Sequence, residues 1–306
     1  MSYRPWQRHY DHNVPLTIRY PRIPASYFLN VASVNFPDKP ATNFYGTELS
    51  FWTLRQQVLR MANALSAKGV RKGDRIGVHL PNCPQYIIAY FAALTIGAIV
   101  VNLNPMYTVD ELKALTGNTG VSTLFTFDSV LPNIRQLRHE VDLALVIVTR
   151  PTDYIHGFQS STAKEMDLEE GWHHFSDLLE ESTSTRIPKV DITPEDPALI
   201  QFTGGTTGLP KGAVLTHGNI VAATMQCSLW GSALSGLTAP EKRIVMAVLP
   251  FFHVYGTIVV LNWAMYNCAT QILVPRFELE EFMGLLANFE KITFFPAVPT
   301  MINALG

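Results

Sequence analysis

The sequence predicts an α/β fold, with two α/β subdomains whose mostly parallel sheets are flanked by helices. Three observations carry that prediction. Short β-branched runs alternate with helix-period segments along most of the chain, the pattern of parallel strands covered by helices on both faces. A polar, mixed stretch at residues 150–197 interrupts the alternation, which then resumes. Two uncharged runs, YIIAYFAALTIGAIVV (Tyr86–Val101) and GTIVVLNWAMYNCATQILV (Gly256–Val274), are interrupted by Gly97 and by Asn262, Asn267 and Gln271 respectively. A membrane-spanning helix needs about 20 predominantly apolar residues, so each run reads instead as a buried helix followed by a buried strand.

The elements follow in order. Residues 1–47 are rich in proline and aromatics with little periodicity, and form an N-terminal extension. Leu54, Val58, Met61, Ala62 and Leu65 then recur at helical spacing, with Gly69 as the stop. DRIGVHL is a strand, PQYIIAYFAALTIG a helix opened by Pro84, and AIVVNLN a β-branched strand. Thr108 and Glu111 have the spacing of a capping box at the start of TVDELKAL. STLFTF, VLPNIRQLRHEV and LALVIVT continue as strand, helix and strand. A short helix and a linker follow, placing the first subdomain at 48–190 and the second at 191–306. In the second, strand ALIQF leads into a Gly/Thr-rich loop, strand AVLT and a helix from Asn219. RIVMAVL, TIVVLNWAMY, ATQILV, LEEFMGLLANF and ITFFPAV then alternate as strand and helix. PTMINALG stops inside what reads as a new helix, so the chain is expected to be a shortened part of a longer protein.

Composition bounds the function. At about 100–200 residues per domain, 306 residues suit two domains or one large α/β unit, with enough core to fold without disulfides or metals. A net charge of −2 gives no electrostatic footprint for nucleic acid. The cysteines, Cys83, Cys227 and Cys268, are far apart and odd in number, which suits free thiols in a reducing compartment. The N-terminus lacks the apolar core of a signal peptide, and a cytoplasmic protein is expected. His9, His12, His173 and His174 read as surface residues rather than metal ligands, and Trp230 and Trp263 as core.

FTGGTTGLPKG (Phe202–Gly212) carries the chemistry. A Walker A loop does not fit, because Leu209 and Pro210 stand five residues after Gly204 and Gly205. A Rossmann loop does not fit either, since Thr206 occupies the place of its second glycine. Gly204, Gly205 and Gly208 would still let backbone N–H groups approach an anion closely. Thr203, Thr206 and Thr207 add hydroxyl donors, and Lys211 a point charge. Composition alone leaves two readings open: a polyphosphate cradle, or a glycine-rich hairpin with an exposed lysine.

The longer stretch FTGGTTGLPKGAVLTHGN resembles the phosphate loop of the adenylate-forming superfamily of acyl-CoA synthetases, luciferases and peptide-synthetase adenylation domains. AVLPFFHVYG (Ala247–Gly256) is similar to that family's second motif, and FFPAVPTMINAL (Phe294–Leu305) to its third. KGDRIGVHLPNCPQYIIAYFAALTIGAIVVNLNP reads the same way, so the resemblance covers essentially the whole chain. The segments WQRHYDHNVPLTIRYPRIPASYFL and NLNPMYTVDELK look most like bacterial long-chain fatty-acid–CoA ligases.

The resemblance implies a two-step reaction using ATP, Mg2+ and coenzyme A: a fatty acid becomes an acyl-adenylate, then an acyl-CoA. It implies that Thr203, Gly204, Gly205, Thr206, Thr207, Gly208 and Lys211 hold the phosphates, with Thr207 and Lys211 taking part in catalysis. It further implies that His253 borders the carboxylate, with Phe252, Val254, Tyr255 and Gly256 shaping the acyl pocket beside Phe251. Some long-chain members carry a gating tryptophan four residues after this histidine, where this chain has Thr257. The adenine, ribose and magnesium residues, the hinge and the lysine of the C-terminal lid domain are expected beyond Gly306. No metal ligand is therefore assignable, the lid is expected to be absent, and the chain alone is expected to be incomplete for catalysis. A homodimer through residues 1–47 and peripheral contact with the inner membrane face are further expectations from the resemblance. An aromatic-acid CoA ligase, a carrier-loading adenylation domain and a non-catalytic nucleotide-binding or assembly module remain as alternatives.

Overall fold

The computed structural model describes residues 4–155, 166, 168–203, 210–231, 236–289 and 291–306. After a 3-10 turn at Pro5–His9 come helix α1 (Tyr27–Asn35) and two strands, β1 (Pro40–Phe44) and β2 (Thr47–Ser50). Helix α2 (Phe51–Ala67) starts where the Ser50 side chain accepts a hydrogen bond from the Thr53 amide at 3.1 Å, a standard N-cap. Then follow β3 (Arg75–Val78), α3 (Pro84–Thr95), β4 (Ile99–Asn102), α4 (Val109–Thr119), β5 (Val121–Phe127), α5 (Leu131–Arg138), β6 (Leu145–Thr149), β7 (Trp172–His174) and α6 (Phe175–Glu181). The Thr108–Glu111 capping box at α4 forms as the spacing predicts. The helix closes at Gly120, whose φ of 66° is the left-handed conformation glycine adopts without strain.

The second half contributes β8 (Pro197–Thr203), β9 (Lys211–Thr216), α7 (His217–Trp230), β10 (Ile244–Ala247) and β11 (Thr270–Leu273). Between the last two strands run a π-helix, Gly256–Asn262, and one α-turn, Trp263–Tyr266. The segment read as strand ITFFPAV forms only an isolated bridge, Phe294 to Val245. Pro296 lacks the N–H that a ladder would use.

Two sheets organise the molecule. Seven strands lie in the order β7-β6-β5-β3-β4-β8-β9, parallel except for β9, which returns antiparallel to β8. Four strands lie in the order β10-β11-β1-β2, with β2 antiparallel to β1. Sheet membership does not follow the expected division at 190/191. The N-terminal strands β1 and β2 join β10 and β11, while β8 and β9 complete the first sheet. The cause is pairing: Thr42 and Asn43 of β1 sit in parallel register with Gln271 and Ile272 of β11, and Val100 and Val101 of β4 with Leu199 and Ile200 of β8.

Side-chain alternation sends successive strand residues to opposite faces. In β6, Leu145 and Ile147 join one apolar cluster, while Val146 and Val148 join another with α4 and α5. The larger cluster runs continuously from β3 and β4 to β10 and β11. Helix α3 is buried from Pro84 to Leu94, as a helix apolar on all sides must be. Both uncharged runs are accordingly a buried helix followed by a strand. Among the described residues, no helix is long and apolar enough to cross a membrane.

Candidate active site

The β8–β9 hairpin carries the flanks of the Gly/Thr loop. Thr203 and Lys211 are register partners at its loop end, and the Thr203 hydroxyl donates to the Lys211 carbonyl at 3.3 Å. Both residues are exposed. Gly204, Gly205, Thr206, Thr207 and Gly208 lie outside the described residues. Lys211 is the first residue of a strand, so its backbone is fixed by the ladder.

The second motif forms a turn beyond the end of β10. Phe251 is fully buried, its ring 5.3 Å from that of Tyr86, so it is a core residue. Phe252 is partly buried, with its ring centroid 4.6 Å from that of His253. His253, Val254 and Tyr255 are exposed, the last two by 46% and 43%. Partial desolvation of the His253 ring lowers its pKa and favours the neutral imidazole. Gly256 is buried where no side chain fits: a Cβ there would stand 2.1 Å from the Pro250 carbonyl oxygen.

Buried amides hold this turn, and the sequence reading passed over all of them but Asn262, which it noted as an interruption of an apolar run. Asn82 donates to the carbonyls of Ala247 and Leu249 at 2.9 and 3.0 Å, and accepts from the Phe251 amide at 2.8 Å. Asn102, the last residue of β4, donates to Gln201 Oε1 at 3.0 Å and lies within 3.2 Å of Thr257 Oγ1. Gln201 in β8 donates to the Phe252 carbonyl at 2.8 Å. The Tyr86 hydroxyl reaches Asn102 Oδ1 at 2.6 Å and the Phe251 carbonyl at 3.0 Å. Asn262 donates to the Thr257 carbonyl and to Tyr90. The only sequence signal was a polar residue inside or closing an otherwise apolar run. Thr257, where a gating tryptophan was considered, is fully buried in this network.

The ends of β3, β4 and β8 thus converge on the His253 turn, at the carboxyl edge of a parallel sheet where α/β folds place ligands. Over residues 29–305 the chain matches the family described as AMP-binding enzyme. The chain belongs to the AMP-binding enzyme family. A long-chain-fatty-acid–CoA ligase of Bacillus subtilis is 35% identical, aligned over 99% of this chain and 55% of its own length. A 4-coumarate–CoA ligase of Oryza sativa subsp. japonica is 30% identical over 93% of this chain and 49% of its own. The chain therefore spans about half the length of the curated relatives it matches. A solved long-chain-fatty-acid–CoA ligase from Archaeoglobus fulgidus shares the fold, with a TM-score of 0.80, 24% identity and coverage of 97% of this chain and 55% of its own.

The remaining candidates separate. Trp263 is buried, but Trp230 is 60% exposed, against the expectation of a core residue, and meets Tyr10 edge-on at 5.1 Å. His9 and His12 are exposed; His173 and His174 lie half-buried on the edge strand β7 rather than in a loop. All three cysteines are free. Among the described residues, no cluster of three His, Cys, Asp or Glu could hold a metal ion.

Proposed function

We propose that this chain provides the phosphate-gripping and acid-binding part of an enzyme that activates a fatty acid with ATP and passes it to coenzyme A. In the first step a carboxylate oxygen attacks the α-phosphorus and the bond to pyrophosphate breaks. In the second the thiol displaces AMP from the acyl carbon. Negative charge grows on the departing pyrophosphate, so fixed donors around it lower the barrier most. Lys211 and Thr203, with Thr206 and Thr207 between them, are the donors in this reading, and His253 borders the carboxylate.

The observation that carries the proposal is the common footing of the two motifs. Gln201, two residues before Thr203, is hydrogen-bonded to the carbonyl of the residue preceding His253. The fatty-acid reading draws on the relative aligned over nearly the whole chain. An aromatic acid is the second reading, favoured by the 4-coumarate relative. The fatty-acid reading carries with it a cytoplasmic location with peripheral contact at the inner membrane face.

Calorimetric titration tests the phosphate grip. ATP is expected to bind the chain, and Lys211→Ala to weaken it by roughly tenfold or more, the loss of one charge-assisted contact. Equal affinity in the two proteins would remove Lys211 from the site. Thermal stabilisation by non-hydrolysable palmitoyl-adenylate and coumaroyl-adenylate analogues separates the two acids, because the better ligand raises the melting temperature more.

A further inference from the structure

We propose that Gln201, Asn102 and Thr257 are positioning residues that couple the β8–β9 hairpin to the His253 turn, so that a polyphosphate held at the hairpin end is felt at the acid site. The proposal rests on the polyphosphate reading of that hairpin and goes beyond it by assigning a mechanical link between the two half-sites.

Gln201 engages both ends of its amide. Its Oε1 accepts from Asn102, and its Nε2 donates to the Phe252 carbonyl. It is 5% exposed, so water does not replace either partner. Asn102 is similarly committed: its oxygen accepts from Tyr86, and its amide hydrogens are shared among Gln201, Thr257 and the Phe251 carbonyl. The single Thr257 hydroxyl proton serves the Phe251 carbonyl at 2.5 Å or the His253 carbonyl at 3.2 Å. Three consecutive carbonyls, those of Phe251, Phe252 and His253, are thus gripped from β4, β8 and the π-helix.

The other end of the link is stiff. Residues 201 and 203 project to the same face of β8. Their partners across the hairpin are Ala213 and Lys211. A load on Thr203 and Lys211 therefore shifts Gln201 with its strand. In a low-dielectric interior each of these amides is costly to leave unpaired, so the turn follows rather than parting from Gln201. Among the described residues, the Gln201 amide is hydrogen-bonded to no acceptor other than the Phe252 carbonyl.

Hydrogen exchange with and without ATP tests the coupling. In the unaltered chain, ATP is expected to slow amide exchange at Thr203 and Lys211–Val214 and, by roughly tenfold, at Phe252–Thr257. In Gln201→Met and Thr257→Val, which keep volume and lose the polar atoms, the hairpin should remain protected by ATP while the 252–257 effect disappears. Thr257→Ser should restore it. Protection confined to the hairpin of the unaltered chain would overturn the coupling and leave the phosphate reading standing. Protection of neither segment would remove both. Retained protection at 252–257 in Gln201→Met would also overturn the coupling. A variant that does not fold leaves the unaltered chain and Thr257→Ser as the deciding comparison.

Discussion

Asn82 shows how one amide can define a turn. Its three hydrogen bonds satisfy two carbonyls and one N–H at the exit of β10, and it is almost fully buried. Removing it strands the Phe251 N–H and the Leu249 carbonyl away from water, while the Ala247 carbonyl keeps the Val274 amide at 3.1 Å, and a buried unsatisfied group costs about 1–3 kcal/mol. Asn82→Ala is therefore expected to lower stability by roughly 3 kcal/mol, allowing for partial hydration of the gap. Urea unfolding monitored by fluorescence measures it, and a loss within 0.5 kcal/mol, about the range of ordinary surface changes, would contradict the account. Residue-level reading of the sequence succeeded for the motifs that carry the family resemblance. It failed for Asn82, Asn102 and Gln201 because a polar residue in or just after the end of an apolar run looks like any entry to a loop. Only tertiary pairing reveals that each is buried. Trp230 failed in the opposite direction: its aromatic ring suggested the core, but it ends α7 facing outward.

At the scale of elements, the π-helix Gly256–Asn262 depends on how closely its first turn meets the preceding chain. A Cβ on Gly256 would lie 2.1 Å from Pro250 O, 2.6 Å from Pro250 C and 2.9 Å from Leu249 O. These are backbone atoms and cannot rotate aside, so the whole turn must move. Gly256→Ala is expected to destabilise by about 2–4 kcal/mol, the upper part of the range for overpacking, and to displace His253. Gly117→Ala is the matched control. It lies in α4 with nothing within 4 Å of the added carbon, and should gain about 0.5–1 kcal/mol from helix propensity. Melting temperatures moving in the same direction for both would refute the steric argument. Elements with strong local signals could be read directly: the β-branched β4 and β6, the Thr108–Glu111 box, the Pro84 helix start. β1 and β2 could not, because PATNF and TELS have little strand character until β11 supplies a partner. ITFFPAV erred the other way, having strand composition but only one bridge.

Across the whole molecule, the alternation of strands and helices identified the α/β class, whereas the exchange of strands between sheets could not be inferred from chain order. Two buried histidines give the whole molecule a pH dependence. His217, at the start of α7, accepts the Ala25 N–H on Nδ1 at 3.2 Å, so its neutral ring carries the proton on Nε2. Burial pushes its pKa down to about 4, with Asp196 pulling upward and Lys72 downward. His79 at the end of β3 contacts Thr126 Oγ1 at 3.1 Å, and burial likewise pushes it down to about 4. Both rings bind a proton more readily in the unfolded chain, where the ordinary value is 6.5. Stability therefore rises with pH across the interval. Their contribution is fully present above about pH 6.5 and is lost as pH falls toward 4, on the order of 3 kcal/mol for each ring. Asp196 and Glu195 are held below their ordinary carboxylate values, chiefly by hydrogen bonds, Asp196 from Lys72 and Glu195 from its own backbone N–H with a smaller contribution from Arg22. Their losses therefore belong to the acid end of the range, and the upper part belongs to the histidines. Urea midpoints taken from about pH 7 to pH 4.5 should fall steadily, with a shallower slope in His217→Gln. A flat profile between about pH 7 and pH 5 would show that these rings are hydrated or already charged in the folded protein.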